Sequence, residues 1–464
     1  MKILLITPAV EHLRVTLPDR VPRRAMLRFS LLPLSTVAAL TPPGHAVELC
    51  DENVTPIPWD TDADLIGISF MTALAPRAYE IAAAFRRRGK RTVAGGYHPT
   101  FLPAEAADHF DAVVIGDAEE LWPQVVSDAA QGRVQRFYRH RQPADLAQTP
   151  IPRRDLLRPT ARYYATTDAV QVGRGCTHGC RYCSVTAFHS RTYRARPLAH
   201  VLAELRQVGR DMMFVDDNII ADRDYARSLF TALIPLRKRW VSQCSLEIAD
   251  DPELLRLARR AGCIGLFIGI ENTDRRNLEA MDKGFNARHD PADRLRRIHR
   301  AGIGVIAGII VGLDHDERDV FQHTLRFLLR NRIEALQLNI LTPLPGTPLF
   351  DDFERAGRIT DHDWSHYTFR RVVIRPARMP AADLQAGADW LYRQFYRLDH
   401  VLARCLRVGL RMGPAAAWVC FRLNRTYRYD IHHERIRGYN PAPAAEAGVA
   451  EPWPAVATTA VRIQ

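Results

Sequence analysis

The sequence predicts an α/β protein in three parts: a doubly wound parallel sheet, an open six-unit β/α barrel, and a mostly helical C-terminal extension. Three observations carry this. Strand-length apolar runs alternate with helix-period runs from Lys2 to about Gly132, and again six times from Ala169 to Leu341, the rhythm of parallel sheets. Between the two series, from Arg133 to Ala165, periodicity lapses into Gln142-Pro143, Thr149-Pro150-Ile151-Pro152 and Arg158-Pro159, the punctuation of a linker. At 464 residues the chain also exceeds one ordinary core, and about two or three domains are expected. The bounds read as 1–140, a linker over 141–165, 166–375, a helical part over 376–440, and a loose Ala/Pro-rich tail over 441–464.

The first strand is Lys2–Ile6. The opening Met1-Lys2-Ile3-Leu4-Leu5-Ile6-Thr7-Pro8 is interrupted too early for the apolar region of a secretory signal. Strands follow at Ala46–Cys50, Asp64–Phe70, Arg91–Ala94 and Ala112–Ile115. A helix over Pro76–Arg88 puts Ala78, Ile81, Ala82 and Phe85 on one face. Such sheets bind ligands at the carboxyl ends of their strands, which here carry Gly95-Gly96-Tyr97-His98-Pro99-Thr100 and Gly116-Asp117-Ala118-Glu119. Glycine lets a backbone approach a ligand closely; two tight strand-to-helix turns account for the same residues.

In the second series, strand Ala169–Val172 feeds Cys176-Thr177-His178-Gly179-Cys180-Arg181-Tyr182-Cys183. A C-x₃-C-x₂-C spacing suits a cluster or a metal and not a disulfide framework. A [4Fe–4S] cluster wants four ligands, so three thiolates leave one iron open. A zinc site with His178 or His189 as fourth ligand is the other reading. Helix Leu198–Val208 follows. Strand Met212–Val215 ends in Asp216-Asp217-Asn218, and strand Ser242–Ile248 carries Glu247. A helix opens with Pro252 and closes at Gly262. Strand Ile264–Ile270 ends in Glu271-Asn272, Val305–Val311 in Gly312-Leu313-Asp314, and Ala335–Leu341 in Thr342-Pro343-Leu344-Pro345-Gly346-Thr347. Polar residues thus collect after the strands, at the face where β/α barrels do chemistry. The other cysteines, Cys50, Cys244, Cys263, Cys405 and Cys420, are scattered thiols that form no second cluster-like group, and their usage points to a reducing cytoplasm.

The charge balance is basic, 64 Lys and Arg against 52 Asp and Glu, net +12. Ten arginines from Arg393 to Arg437 meet only Asp399, Asp430 and Glu434, and are interleaved with Trp418, Phe421, Tyr427 and Tyr429. That mixture suits an anionic lipid surface or nucleic acid, while a solvated helical face is the plainer reading; for the protein as a whole no nucleic-acid partner is expected. From about Pro376 the pattern is helical, with Leu384, Ala388, Leu391 and Phe395 on one face. No run approaches the ~20 apolar residues of a membrane span.

Taken together, the Cys-x₃-Cys-x-Tyr-Cys loop after the first barrel strand resembles the radical S-adenosylmethionine (SAM) superfamily over roughly Gln171 to Phe350. The ordered set Phe214-Val215-Asp216-Asp217-Asn218-Ile219, Gly269-Ile270-Glu271-Asn272, Gly308-Ile309-Ile310-Val311-Gly312 and Leu341 to Pro348 resembles one branch, the cobalamin-binding-domain enzymes. Gly67-Ile68-Ser69 and Gly95-Gly96 with His98-Pro99 agree with that branch, which includes hopanoid methylases and an oxidative cyclase of tetrapyrrole synthesis. The resemblance implies a Rossmann-like cobalamin-binding-type domain ahead of a partial TIM-like (β/α)6 radical SAM barrel.

It also implies roles. Cys176, Cys180 and Cys183 would ligate a [4Fe–4S] cluster whose open iron binds SAM. Tyr182 would lie beside the adenine, and Asp216, Asp217 and Asn218 at the methionine amino group. Glu247 and Glu271, with Asn272, would face the ribose, and Gly308, Ile310 and Gly312 would pack the adenine. His315, with Asp314 and Asp316 beside it, stands where the family places a distal acid. Ser69, Gly95, Gly96, His98 and Gly116 would line cobalamin, His98 reading as a loop residue and not a cobalt ligand. A D-x-H-x-x-G signature is absent, since Glu11-His12-Leu13-Arg14 does not match it. The implied activity is reductive cleavage of SAM to a 5′-deoxyadenosyl radical for cobalamin-dependent methylation of an unactivated carbon. Cyclisation, oxidation or rearrangement without methyl transfer is the alternative, and a cobalamin- or cluster-binding sensor a further one. The implied partners are an apolar small molecule such as a lipid or terpenoid, and a reductant such as flavodoxin or ferredoxin. The implied place is the cytoplasm, peripheral to the inner face of the membrane.

Overall fold

The computed structural model describes residues 1–10, 32–140 and 142–436. Glu11-His12-Leu13-Arg14, Arg437 and the tail 441–464 lie outside the described residues.

The first sheet contains β1 (Lys2–Thr7), β2 (Ala46–Asp51), β3 (Leu65–Ser69), β4 (Arg91–Gly95), β5 (Ala112–Ile115) and β6 (Phe137–Arg139). Their order is β2-β1-β3-β4-β5-β6, every pair parallel. Side chains alternate across the pleat. Ile3 and Leu5 therefore join Leu65, Val93 and Trp122 on one face, while Leu4 and Ile6 join Ile66, Ile68 and Phe85 on the other. Both faces are covered, as a parallel sheet requires. Helix Ala75–Arg86 buries Ala78, Ile81, Ala82 and Phe85, the face the periodicity predicts. Strand β6 falls where the sequence reads as linker; it is three residues long with only Tyr138 buried, too short to show a period.

The second sheet is six-stranded and parallel. It is built from β7 (Ala169–Val170), β10 (Asp211–Phe214), β11 (Arg239–Cys244), β12 (Cys263–Glu271), β13 (Gly304–Val311) and β14 (Ala335–Ile340), in the order β14-β13-β12-β11-β10-β7. The antiparallel hairpin β8 (Gly173–Gly175) with β9 (Tyr193–Ala195) stands beside it. The sheet does not close on itself, so the barrel is partial. Trp240, Leu266, Ile268, Val305 and Ala307 are buried on its outer face under helices. The alternate residues Val241, Gln243, Phe267, Gly269 and Ile306 are only half-buried and line an open interior.

Two strands end earlier than their apolar runs suggest. The first stops at Val170 because the N–H groups of Val172 and Gly173 turn to the Asp216 carboxylate. β11 stops at Cys244 because the Ser245 N–H turns to the Asn218 side chain, and Glu247 sits in the 3₁₀ turn Leu246–Asp250 rather than in the strand. Helix Ala381–Phe395 buries Leu384, Ala388, Leu391 and Phe395 as predicted. Helices Leu398–Met412 and Pro414–Ile436 pair antiparallel after it, with Arg404 bonded to Asn424.

Candidate active site

The cysteine loop leaves β8 through a position only glycine fills: Gly175 has φ +89°, and a Cβ there would lie 2.1 Å from the Thr192 carbonyl oxygen. Backbone bonds from Arg181 N–H to the Met281 carbonyl (3.2 Å) and from Leu349 N–H to the Arg181 carbonyl (3.1 Å) tie the loop to the barrel rim. Thr186 Oγ1 donates to the His178 carbonyl at 3.1 Å. All three cysteines are free thiols. Burial pushes Cys176 up and Cys180 to about 11, with the Lys283 ammonium opposing the rise. Ligation by iron would hold them as thiolates.

The three polar residues after β10 mostly hold backbone. Asp216 is wholly buried and accepts from Val172 N–H (3.1 Å) and Gly173 N–H (2.7 Å); burial pushes it up to about 8 against those bonds. Asn218 accepts from Ser245 N–H at 3.0 Å. Asp217 accepts from Gly175 N–H at 3.1 Å and is raised by burial to about 6. It is the least buried of the three, and so the one with surface at the mouth.

Glu247 pairs with His178 Nε2 at 3.0 Å, and the His178 ring stacks on Phe285 at 3.8 Å. The His178 bond holds the carboxyl below its usual range although burial opposes it. His189 is buried, receives Arg194 at 3.1 Å, and is lowered by burial to about 4. One ring nitrogen of each histidine is thus taken, Nε2 of His178 by Glu247 and Nδ1 of His189 by Arg194.

Glu271 sits at a bulge ending β12 with φ +68°. Its carboxylate takes Lys283 Nζ at 2.6 Å, and the same ammonium donates to the Tyr182 hydroxyl at 3.1 Å. Gly269 lies beneath it, and a Cβ there would fall 2.3 Å from Glu271 Oε1 and push the carboxylate from its place. Tyr182 and Ile310 pack into one apolar cluster with Leu313 and Leu341. Gly308 passes the Phe267 ring, which a Cβ would meet at 3.0 Å.

Asn272 is buried and donates to Asp316 Oδ1 at 3.0 Å. Asp316 accepts from Gly312 N–H (2.8 Å) and Leu313 N–H (3.1 Å), and burial raises it to about 6. The acid beside His315 therefore clamps the end of β13 from within. Asp314 pairs with Arg358, and the His315 ring faces Arg378. None of the three is the mouth-facing acid that the resemblance leads one to expect.

Across the boundary, Ser69 and Gly95 end β3 and β4, and Gly116 follows β5. A Cβ on Gly95 or Gly116 would meet nothing within 4 Å, so this crevice is open. At Gly96, φ is +107° and a Cβ would strike the Phe70 carbonyl at 2.6 Å. His98 departs from the expectation. It is 0% exposed, with Nε2 at 3.0 Å from the Tyr79 hydroxyl and its ring against Phe70 and Trp364. The helix that starts at Tyr97 turns it into the core, away from the strand-end crevice.

The two openings face each other through contacts the sequence reading missed. Arg174 on β8 bonds Glu119 through both guanidinium nitrogens (2.7 and 2.9 Å) and Asp117 at 2.9 Å, and Arg194 on β9 bonds Asp117 at 2.7 Å. Tyr97 packs on Phe188 at 4.7 Å, within range of the charges of Asp217 and Cys183. Gly346 abuts the Phe101 ring, which a Cβ would meet at 2.1 Å. On the far side Trp364 Nε1 donates to Glu105 at 3.0 Å. Lys283 was the other omission. Only Arg174 carried a local signal, an arginine between two glycines.

Residues 170–328 match the model of the radical SAM superfamily, and residues 37–126 match that of the B12 binding domain. The chain is a B12-binding-domain radical SAM protein. Bacteriochlorophyllide d C-12(1)-methyltransferase of Chlorobaculum tepidum is 29% identical to it, over 84% of this chain and 86% of that one. Hopanoid C-2 methylase of Rhodopseudomonas palustris is 28% identical over 71% of this chain and 65% of that one. A structure of the radical SAM methyltransferase TsrM from Kitasatospora setae, with cobalamin and a [4Fe–4S] cluster bound, shares the fold at a TM-score of 0.65 and 16% identity, over 94% of this chain and 100% of that one. This radical SAM protein is an enzyme whose cofactors are a [4Fe–4S] cluster, SAM and cobalamin. Its residues fit them: three thiols on one loop at an open mouth, and a glycine-lined crevice opposite.

Proposed function

We propose that this enzyme transfers a methyl group from cobalamin to an unactivated carbon of an apolar, ring-built small molecule. The observation that carries the reading is the face-to-face docking of the cysteine loop and the first sheet's strand ends, fixed by Arg174 on Asp117 and Glu119. When bound, the cluster supplies the electron that cleaves SAM to a 5′-deoxyadenosyl radical, and cobalamin supplies the methyl group.

The chain's residues bind, orient and exclude water. Cys176, Cys180 and Cys183 hold three irons. Asp217 faces the methionine ammonium, with Asp216 and Asn218 fixing the backbone around it. Glu247 and Glu271 accept from ribose hydroxyls, each held in place by a neighbour, the His178 ring or the Lys283 ammonium. Tyr182 and Ile310 pack the adenine, with Gly308 leaving room, while Asn272 holds the strand ends. Ser69, Gly95, Gly96 and Gly116 admit cobalamin. Tyr97, Phe101 and Phe188 form an aromatic wall at the boundary, and a dry cavity protects a radical. The same proposal places the enzyme in the cytoplasm, served by an external reductant such as flavodoxin or ferredoxin, with its C-terminal helices at a membrane surface.

The test is anaerobic turnover of the loaded enzyme with SAM carrying a deuterated methyl group, offered a chlorophyllide-type tetrapyrrole or a hopanoid. The expected result is 5′-deoxyadenosine, S-adenosylhomocysteine and a product bearing the label. 5′-Deoxyadenosine with a product of unchanged carbon count would replace methyl transfer by cyclisation or oxidation. No 5′-deoxyadenosine at all would leave the sensor reading.

A further inference from the structure

Helix Leu398–Met412 packs inward through Val401, Arg404 and Val408. Its outward face is apolar where water would favour charge: Leu398, Leu402, Leu406 and Leu410, each four residues from the last, are 55%, 54%, 62% and 82% exposed. Trp418, 61% exposed and stacked on Phe421 at 5.8 Å, extends the patch onto the next helix. A contiguous exposed apolar patch of this kind marks a contact surface.

The arginines around it fall into two groups. Arg404 is buried against Phe395 and Asn424, Arg411 pairs with Glu334, and Arg428 donates to the Tyr396 carbonyl. By contrast Arg407, Arg422 and Arg425 have no carboxylate partner among the described residues. Arg407 also stands beside Arg332, whose like charge adds to burial in lowering its pKa. Such a pair gains from an anion between its members. A leucine ridge flanked by arginines and a tryptophan is the composition of a helix lying in a bilayer interface.

We propose that this face docks on an anionic lipid bilayer, with Leu402, Leu406, Leu410 and Trp418 entering the headgroup boundary and Arg332, Arg407, Arg422 and Arg425 meeting lipid phosphates. A second copy of the chain is a poorer occupant. A two-fold contact sets a patch against itself and would bring these unneutralised arginines together. The hairpin is fastened at Glu334, whose carbonyl accepts from Asn424 at 3.0 Å just ahead of β14. The docked face is thus at the amino end of the strands, and the barrel mouth stays clear. This deepens the membrane-surface part of the proposed function and is independent of methyl transfer.

The test is sedimentation of the full-length chain with vesicles of phosphatidylglycerol and phosphatidylcholine, beside vesicles of phosphatidylcholine alone. Wild type should pellet with the anionic vesicles, and added salt should release it. Leu406→Glu should lower partitioning about tenfold or more, and each of Arg407→Glu and Arg425→Glu roughly fivefold or more. These side chains already meet water, so circular dichroism and iron content should match wild type. The proposal is overturned if wild type stays in the supernatant or binds neutral vesicles equally well. It is also overturned if the chain runs as a dimer that Leu406→Glu dissociates. Loss of methyl transfer with vesicle binding intact would count against the catalytic reading alone.

Discussion

Arg174 grips Glu119 across the domain boundary with a bidentate pair of bonds, 2.7 and 2.9 Å, and Glu119 is only 1% exposed. Burial works to raise the Glu119 carboxyl, but Arg174 outweighs it and holds the group below its usual range; Asp117 behaves likewise. Carboxyls depressed in the folded state stabilise it above their unfolded pKa, near 4, and that contribution is lost as pH falls through their folded values. The two domains should therefore loosen below about pH 4. Arg174→Ala, which strands the buried Glu119 carboxylate while Asp117 keeps Arg194, should cost about 3 kcal/mol or more and expose 141–165 to protease at neutral pH. Undiminished protease resistance in that variant would show that the pair does not hold the domains.

Asp216 has the opposite sign. Its folded pKa, about 8, lies above the unfolded value, so the folded chain holds a proton that the unfolded chain has released. Its contribution is full below about pH 4 and declines as pH rises toward 8. Asp216→Asn keeps an acceptor for Val172 and Gly173 without titrating. Its stability relative to wild type should rise steadily between those limits, read from denaturant midpoints of the cluster-free chain. A pH-independent difference would refute the buried-proton assignment.

Replacing any of Cys176, Cys180 or Cys183 by Ala leaves too few ligands for a stable four-iron cluster. Each variant, reconstituted with iron and sulfide, should lose the thiolate-to-iron absorption band and form no 5′-deoxyadenosine. A Cys420→Ala control, a thiol buried far from the loop in the C-terminal hairpin, should keep both.

Lys283 compensates Glu271 and orients Tyr182. Lys283→Met strips the half-buried Glu271 carboxylate of its partner, at a cost of about 1–3 kcal/mol. It should also weaken SAM binding on the order of tenfold to a hundredfold in equilibrium dialysis. Lys283→Arg keeps the charge and should recover most of the stability. If the two variants bound SAM as tightly as wild type, the Glu271–Lys283–Tyr182 line would have no part in the SAM site.

What the sequence revealed and what it hid divide by range. Helix faces such as Ala78, Ile81, Ala82 and Phe85, and the polar ends of the barrel strands, are local patterns and were legible. The early ends of β7 and β11 were not. They arise because Asp216 and Asn218 capture backbone N–H groups 44 and 27 residues away, which no period records. His98 illustrates the converse. Its motif position suggested the crevice, but packing between Phe70 and Trp364, the latter far along the chain, decides where a ring points. The Arg174 and Arg194 contacts are of the same long-range kind, since Asp117 and Glu119 belong to another domain.

The bond from Trp364 to Glu105 has a mechanical meaning beside that of Arg174. A rigid body pinned at two separated points keeps a single rotation, about the line through the pins. While both hold, the first domain cannot slide across the barrel mouth or twist against it. Any widening of the cleft for a bulky cofactor is then a swing on that one axle, and it must part Tyr97 from Phe188 and Phe101 from Gly346.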